Sequence, residues 1–183
     1  MLQDNQEKTI ATTFPVATYR VKDITWTIGL IIAAAVFPAL LAHTPQNQWI
    51  TGTIVNAILF LAVWRIGIIN AALVAAPSSS VALARGLLPA PMAILTPYII
   101  LSNVILISVF YFLRRHQLTA VAISSLAKFL FLFAITSYFI KVASPLLYMM
   151  HWPQLFTALA GGLIAVGIIK TQKRLQIKNR LLL

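Results

Sequence analysis

One lysine stands where a lysine is expensive. Lys128, in the run SSLAKFLFLF, falls near the middle of an otherwise apolar segment, where an ionisable side chain costs at least ~2.5 to 3.5 kcal/mol on insertion scales. A residue kept there either serves a ligand or reaches polar atoms of a neighbouring helix or a water-filled cavity. Ser124 and Ser125 lie one turn away. The chain offers it no acid at that depth, because its three carboxylates are Asp4, Glu7 and Asp23, all outside the predicted spans. A paired-carboxylate acid/base site is therefore excluded. The same shortage argues against a proton- or sodium-coupled carrier, which usually places Asp or Glu in the membrane. There is no HExxH, GxSxG or Walker A motif, no cysteine, and His43, His116 and His151 all fall in predicted loops. No catalytic residue, cofactor or resident metal is expected.

The remaining chemistry-bearing residues are few. Asn103 lies in a second apolar run, where an Asn joins helices through a hydrogen bond worth roughly 0.6 kcal/mol or meets a ligand. Gln154 and Thr157 are one helical turn apart, beneath a proline- and aromatic-rich stretch from Tyr148 to Trp152, and are placed to touch a ligand arriving from outside. Arg85, in a predicted outer loop, suits an anion or a lipid phosphate. Met149, Met150 and His151 are soft ligands in sequence, but three adjacent loop residues read as interface packing. The candidate binding set is Arg85, Asn103, Ser124, Lys128, Tyr148, Gln154 and Thr157.

The elements that must position these residues are membrane spans. Of 183 residues, 60% are hydrophobic and only 9% charged, against about 25% charged in a soluble domain. The organising span runs from Met92 to Leu113 without a charge, with Pro89, Pro91 and Pro97 at its start and Arg114 and Arg115 closing it. About 20 apolar helical residues cross a bilayer. Five further spans are predicted, over residues 24–43, 49–64, 66–83, 118–140 and 153–169, the third broken or kinked near Pro77. Residues 1–23 form a polar leader, 24–169 the membrane domain, and 170–183 a basic amphipathic tail. The fold class is all-α and integral to the cell membrane: a six-helix bundle with both termini cytoplasmic.

Charge placement supports that orientation. Lys8, Arg20, Lys22, Arg65, Arg114, Arg115 and five residues of the 170–180 segment fall on one side, eleven of the fourteen basic residues. The +11 balance thus reads as positive-inside topology and affinity for anionic lipids, not nucleic acid. In this topology Asn103 lies about eleven residues, and Lys128 about twelve, from the outer ends of antiparallel neighbours. Their depths agree within roughly 2 Å, so they can meet.

Small residues add a second pattern. Ala35 and Ala39 make an AxxxA step in the first span, and Ala158, Gly161, Gly162 and Ala165 line the sixth. Such steps let helices approach closely. Internal packing accounts for the sixth span; the first span's alanines can face another subunit. Together with LPAPMAILTPYIILSN, SSLAKF and WPQLFTALAGGLIA, these features resemble the substrate-binding S component of energy-coupling factor transporters. That resemblance covers nearly the whole chain. It implies a six-helix subunit that binds a vitamin-like small molecule outside and is driven by a transmembrane T component and a pair of ATPases. ATP would be used only by those partners. It also implies that Ala35 and Ala39 dock the T component. A nickel or cobalt member would display a Met-His start, and Met1-Leu2 departs from it, so an organic substrate is expected. The competing reading is a structural or assembly protein of the membrane with no small-molecule ligand.

Overall fold

The computed structural model describes residues 21–41, 47–84, 90–140 and 144–181, and every regular element among them is helical. Helix α1 is Val21–Leu40 and α2 is Asn47–Ala84. A 3-10 segment, Ala90–Leu95, leads into α3, Thr96–Leu113. Helix α4, Gln117–Ala134, ends in a π turn, Ile135–Phe139. The short α5 is Ser144–Met150, and α6 is Trp152–Leu181. Among the described residues five stretches are long and apolar enough to cross a membrane: Asp23–Leu40, Gln48–Pro77, Ala93–Leu113, Gln117–Phe139 and Leu147–Lys178. Helices satisfy their own backbone polar groups, which is what a bilayer interior demands of any segment that crosses it.

The second and third predicted spans differ most from expectation. They form one helical run of 38 residues, and its non-helical residue is Gly67 (φ 78°, ψ 177°), not Pro77. Proline removes one backbone hydrogen bond and bends a helix. The Gly67 conformation is open essentially to glycine alone and redirects the chain. Straight, the run would separate Asn56 from Ser79 by about 34 Å at 1.5 Å per residue. Instead Asn56 and Asn103 share Lys128, and Asn103 reaches Ser79 at 3.5 Å. The limbs 47–66 and 68–84 therefore fold back along one another, with Gly67 at the reversal.

Elsewhere the boundaries move by a few residues. The first helix begins at Val21 and has Pro38 inside its last turn. The fourth predicted span starts as a 3-10 turn, and Pro97 then occupies the first turn of α3, where a missing N–H costs nothing. The sixth does not stop at Ile169: nothing in KTQKRLQIKNRL breaks a helix, so the basic tail continues α6 to Leu181, exposed from Lys170 to Lys178. The leader residues 1–20, the predicted turn around Pro45, His43, Arg85 and Lys141 lie outside the described residues.

The main core lies among α1, both limbs of α2, α3, α4 and α6, around Leu59, Phe60, Val63, Val74, Leu106, Phe110 and Val121. Phe60 and Phe110 meet edge to face at 4.8 Å between centroids. The outer face of α1 leaves Ile28, Ile32, Val36 and Phe37 exposed. Such a stripe is a liability in water and an ordinary surface against lipid.

Candidate functional site

Close helix packing comes first, because it sets where the polar side chains can reach. A Cβ at Gly161 would fall 2.6 Å from Thr53 O and 2.7 Å from Ala57 N, and one at Gly52 would fall 3.2 Å from the Thr157 side chain. At Gly162 it would strike Val121 Cγ1. The two adjacent glycines thus let α6 press its backbone against the first limb of α2 on one side and α4 on the other. The small-residue pattern of the last span is internal packing, as expected.

That contact brings four helical segments around Lys128, which is 3% exposed. Its Nζ donates to Asn103 Oδ1 on α3 and to Asn56 Oδ1 on α2, each at 2.8 Å. The second contact of each amide fixes its orientation. Asn56 Nδ2 donates to Gly52 O at 2.8 Å and reaches Thr157 Oγ1 at 3.5 Å, while Asn103 Nδ2 reaches Ser79 Oγ at 3.5 Å. Thr157 in turn donates to Pro153 O at 2.7 Å. All five residues are buried. The depth argument for Asn103 and Lys128 is met in the structure.

The electrostatics of this cluster are unusual in one respect. The partners of the lysine are neutral carbonyl oxygens, and an ammonium carries three N–H donors. Two are used, and no third partner stands among the described residues. Ser124 and Ser125, one turn before Lys128, do not bond it. Ser124 Oγ donates to Val121 O at 3.1 Å, and Ser125 Oγ is a buried hydroxyl with no partner among the described residues.

Toward the start of α6 the cluster gives way to rings. Phe129, the neighbour of Lys128, stacks on Trp152 at 5.4 Å, Trp152 on Phe156 at 6.3 Å, and Phe156 meets Trp49 at 6.4 Å. Phe133 packs on His151 at 4.7 Å, and His151 Nε2 lies 3.0 Å from Thr136 Oγ1 in the π turn. Met150 is buried with Leu95. The Met-Met-His run therefore divides between a small apolar cluster and the π turn.

Of the predicted binding residues, the structure joins Asn103, Lys128 and Thr157 through Asn56. Ser124 is adjacent but turned to its own helix. Gln154 is half-buried one turn before Thr157, Tyr148 is 60% exposed on α5, and Arg85 lies outside the described residues. Ala35 and Ala39 are half-buried, beside the fully buried Ala34 that enters the core. Asn56 and Ser79 are the members that sequence reasoning missed. Asn56, in TIVNAILF, carried the same signal as Asn103: an uncharged polar residue inside an apolar run. Ser79 had no such signal, since only the reversal at Gly67 brings it near.

Compared with known proteins, the chain matches no family, no curated protein and no solved structure.

Proposed function

We propose that this chain is the membrane-embedded substrate-binding subunit of an energy-coupling factor transporter, taking up a small organic micronutrient that carries an anionic group. The observation that carries the reading is Lys128: a buried lysine bonded to two amide oxygens and to no carboxylate among the described residues, which as an ammonium has a third N–H to give to an anionic oxygen. Such a residue is costly in a membrane and is retained for function by default. In this reading the two limbs of α2, about 30 and 25 Å long at 1.5 Å per residue, each cross the bilayer. The bundle then has six crossings with both termini cytoplasmic, and the exposed basic end faces inward. Ala35 and Ala39 form the contact with a T component, and ATP is hydrolysed only by separate partner subunits.

The second reading is a structural or assembly protein, favoured by one fact: Lys128 already has two internal partners, as a packing pin needs. Thermal stability and ligand affinity separate the two. The purified chain is screened against a panel of anionic vitamins and tested for co-purification with an ATPase module. Lys128→Met should weaken binding of any hit by a few kcal/mol and cost the fold ~1 to 3 kcal/mol, because the buried Asn56 and Asn103 carbonyl oxygens lose their donor. Lost stability with unchanged affinity, or no hit and no ATPase, rejects the transporter reading.

A further inference from the structure

At the opposite end of α4 from the aromatic rings, the α3–α4 turn and the end of the apolar part of α6 line an open cleft of about 590 Å³. Arg114, Arg115, His116, Gln117, Thr119, Lys170 and Lys173 are among the residues that line it. A deeper recess of about 250 Å³ shares Arg114, Gln117 and Lys173 with it and is floored by Trp64 and Phe110. We infer that this cleft is a binding site for the phosphate headgroup of an acidic phospholipid, a role separate from any substrate site at Lys128.

Three observations carry it. Four permanently charged side chains converge with no acid in the lining, so a phosphate entering there meets cations from both sides. One of them is set in place: the Arg114 guanidinium lies 4.3 Å from the centroid of the Tyr111 ring, which limits its freedom before any anion arrives. Gln117 and Thr119 belong to the first turn of α4, whose N-cap His116 makes no side-chain cap bond, and first-turn N–H groups lack intrahelical acceptors. They add donors of the right sign to a site already made by the cations.

The level of the cleft argues for a lipid over a free phosphate. Leu113 ends the apolar helix α3 and Ile169 is the last apolar residue before Lys170, so the cations sit at the boundary where headgroups lie. The aromatic floor suits the glycerol and first methylenes that follow a headgroup, and a free phosphate has no use for it.

The test uses the full-length chain purified in a neutral detergent. Dihexanoyl phosphatidic acid, dihexanoyl phosphatidylcholine and inorganic phosphate are titrated separately, with native mass spectrometry and tryptophan fluorescence as readouts. Phosphatidic acid should bind well above the other two. The double variant Arg115→Gln/Lys173→Gln should bind it roughly thirtyfold more weakly. Arg174→Gln/Lys178→Gln, which removes equal charge from the same exposed helix outside the cleft lining, should stay near the parent. All four side chains are exposed, and unchanged unfolding midpoints confirm intact folds. Equal weakening by both pairs shows diffuse charge and overturns the site. Equal affinity for phosphatidic acid and inorganic phosphate, or none for phosphatidic acid over phosphatidylcholine, overturns the lipid assignment.

Discussion

Replacing single glycines by alanine tests the packing that builds the Lys128 cluster. At Gly161 a new Cβ would lie 2.6 Å from Thr53 O and 2.7 Å from Ala57 N, both backbone atoms of the facing helix. Neither can rotate away, so α6 and the first limb of α2 must separate by roughly 0.9 Å to reach an ordinary contact. Overpacking of this kind costs ~1 to 3 kcal/mol. Alanine also gains ~0.5 to 1 kcal/mol over glycine within a helix, but that gain is shared by every helical site. At Gly29 and Gly167 no atom lies within 4 Å of the added Cβ. The difference between Gly161→Ala and those two controls is therefore the steric term alone, ~1 to 3 kcal/mol. Gly52→Ala, at 3.2 Å from the Thr157 side chain, should fall between. Reversible unfolding in SDS mixed micelles, followed by the fluorescence of the four tryptophans, measures each variant. Equal midpoints for Gly161→Ala and Gly167→Ala would refute the close approach, and with it the placement of Asn56.

Gly67→Ala should cost ~1 to 3 kcal/mol although its Cβ meets nothing, because the backbone there is closed to L residues; the same SDS titration checks it, and an unchanged midpoint denies the reversal. Asn103→Leu alone should destabilise by ~1 to 3 kcal/mol by stripping a partner from buried Lys128. The triple variant Lys128→Met/Asn56→Leu/Asn103→Leu should recover most of that loss, since replacing a whole buried polar set is often neutral; failure to recover shows that the amides serve other contacts. On the proposed transporter reading, Ala35→Leu/Ala39→Leu, at half-buried positions on α1, should abolish co-purification with a T component while leaving ligand binding unchanged; persistent association assigns that face to lipid.

Much of this architecture is written in local chemistry. The apolar runs and the prolines in first turns at Pro97 and Pro153 report helices and where two of them begin, because each acts on its own turn of chain. The meeting of Asn103 with Lys128 was also legible, since a fixed rise per residue converts sequence position into depth. What the sequence could not show was which side chains share that depth on other helices. Gly67 looks like any helical glycine until its backbone conformation is known, and only that reversal carries Ser79 back beside Asn103. Asn56 on α2 reaches Lys128 on α4 where α6 packs against both helices through Gly161 and Gly162. Helix identity follows from near neighbours in the chain. The polar cluster follows from rotation and distance between helices, which join residues 24 to 101 positions apart.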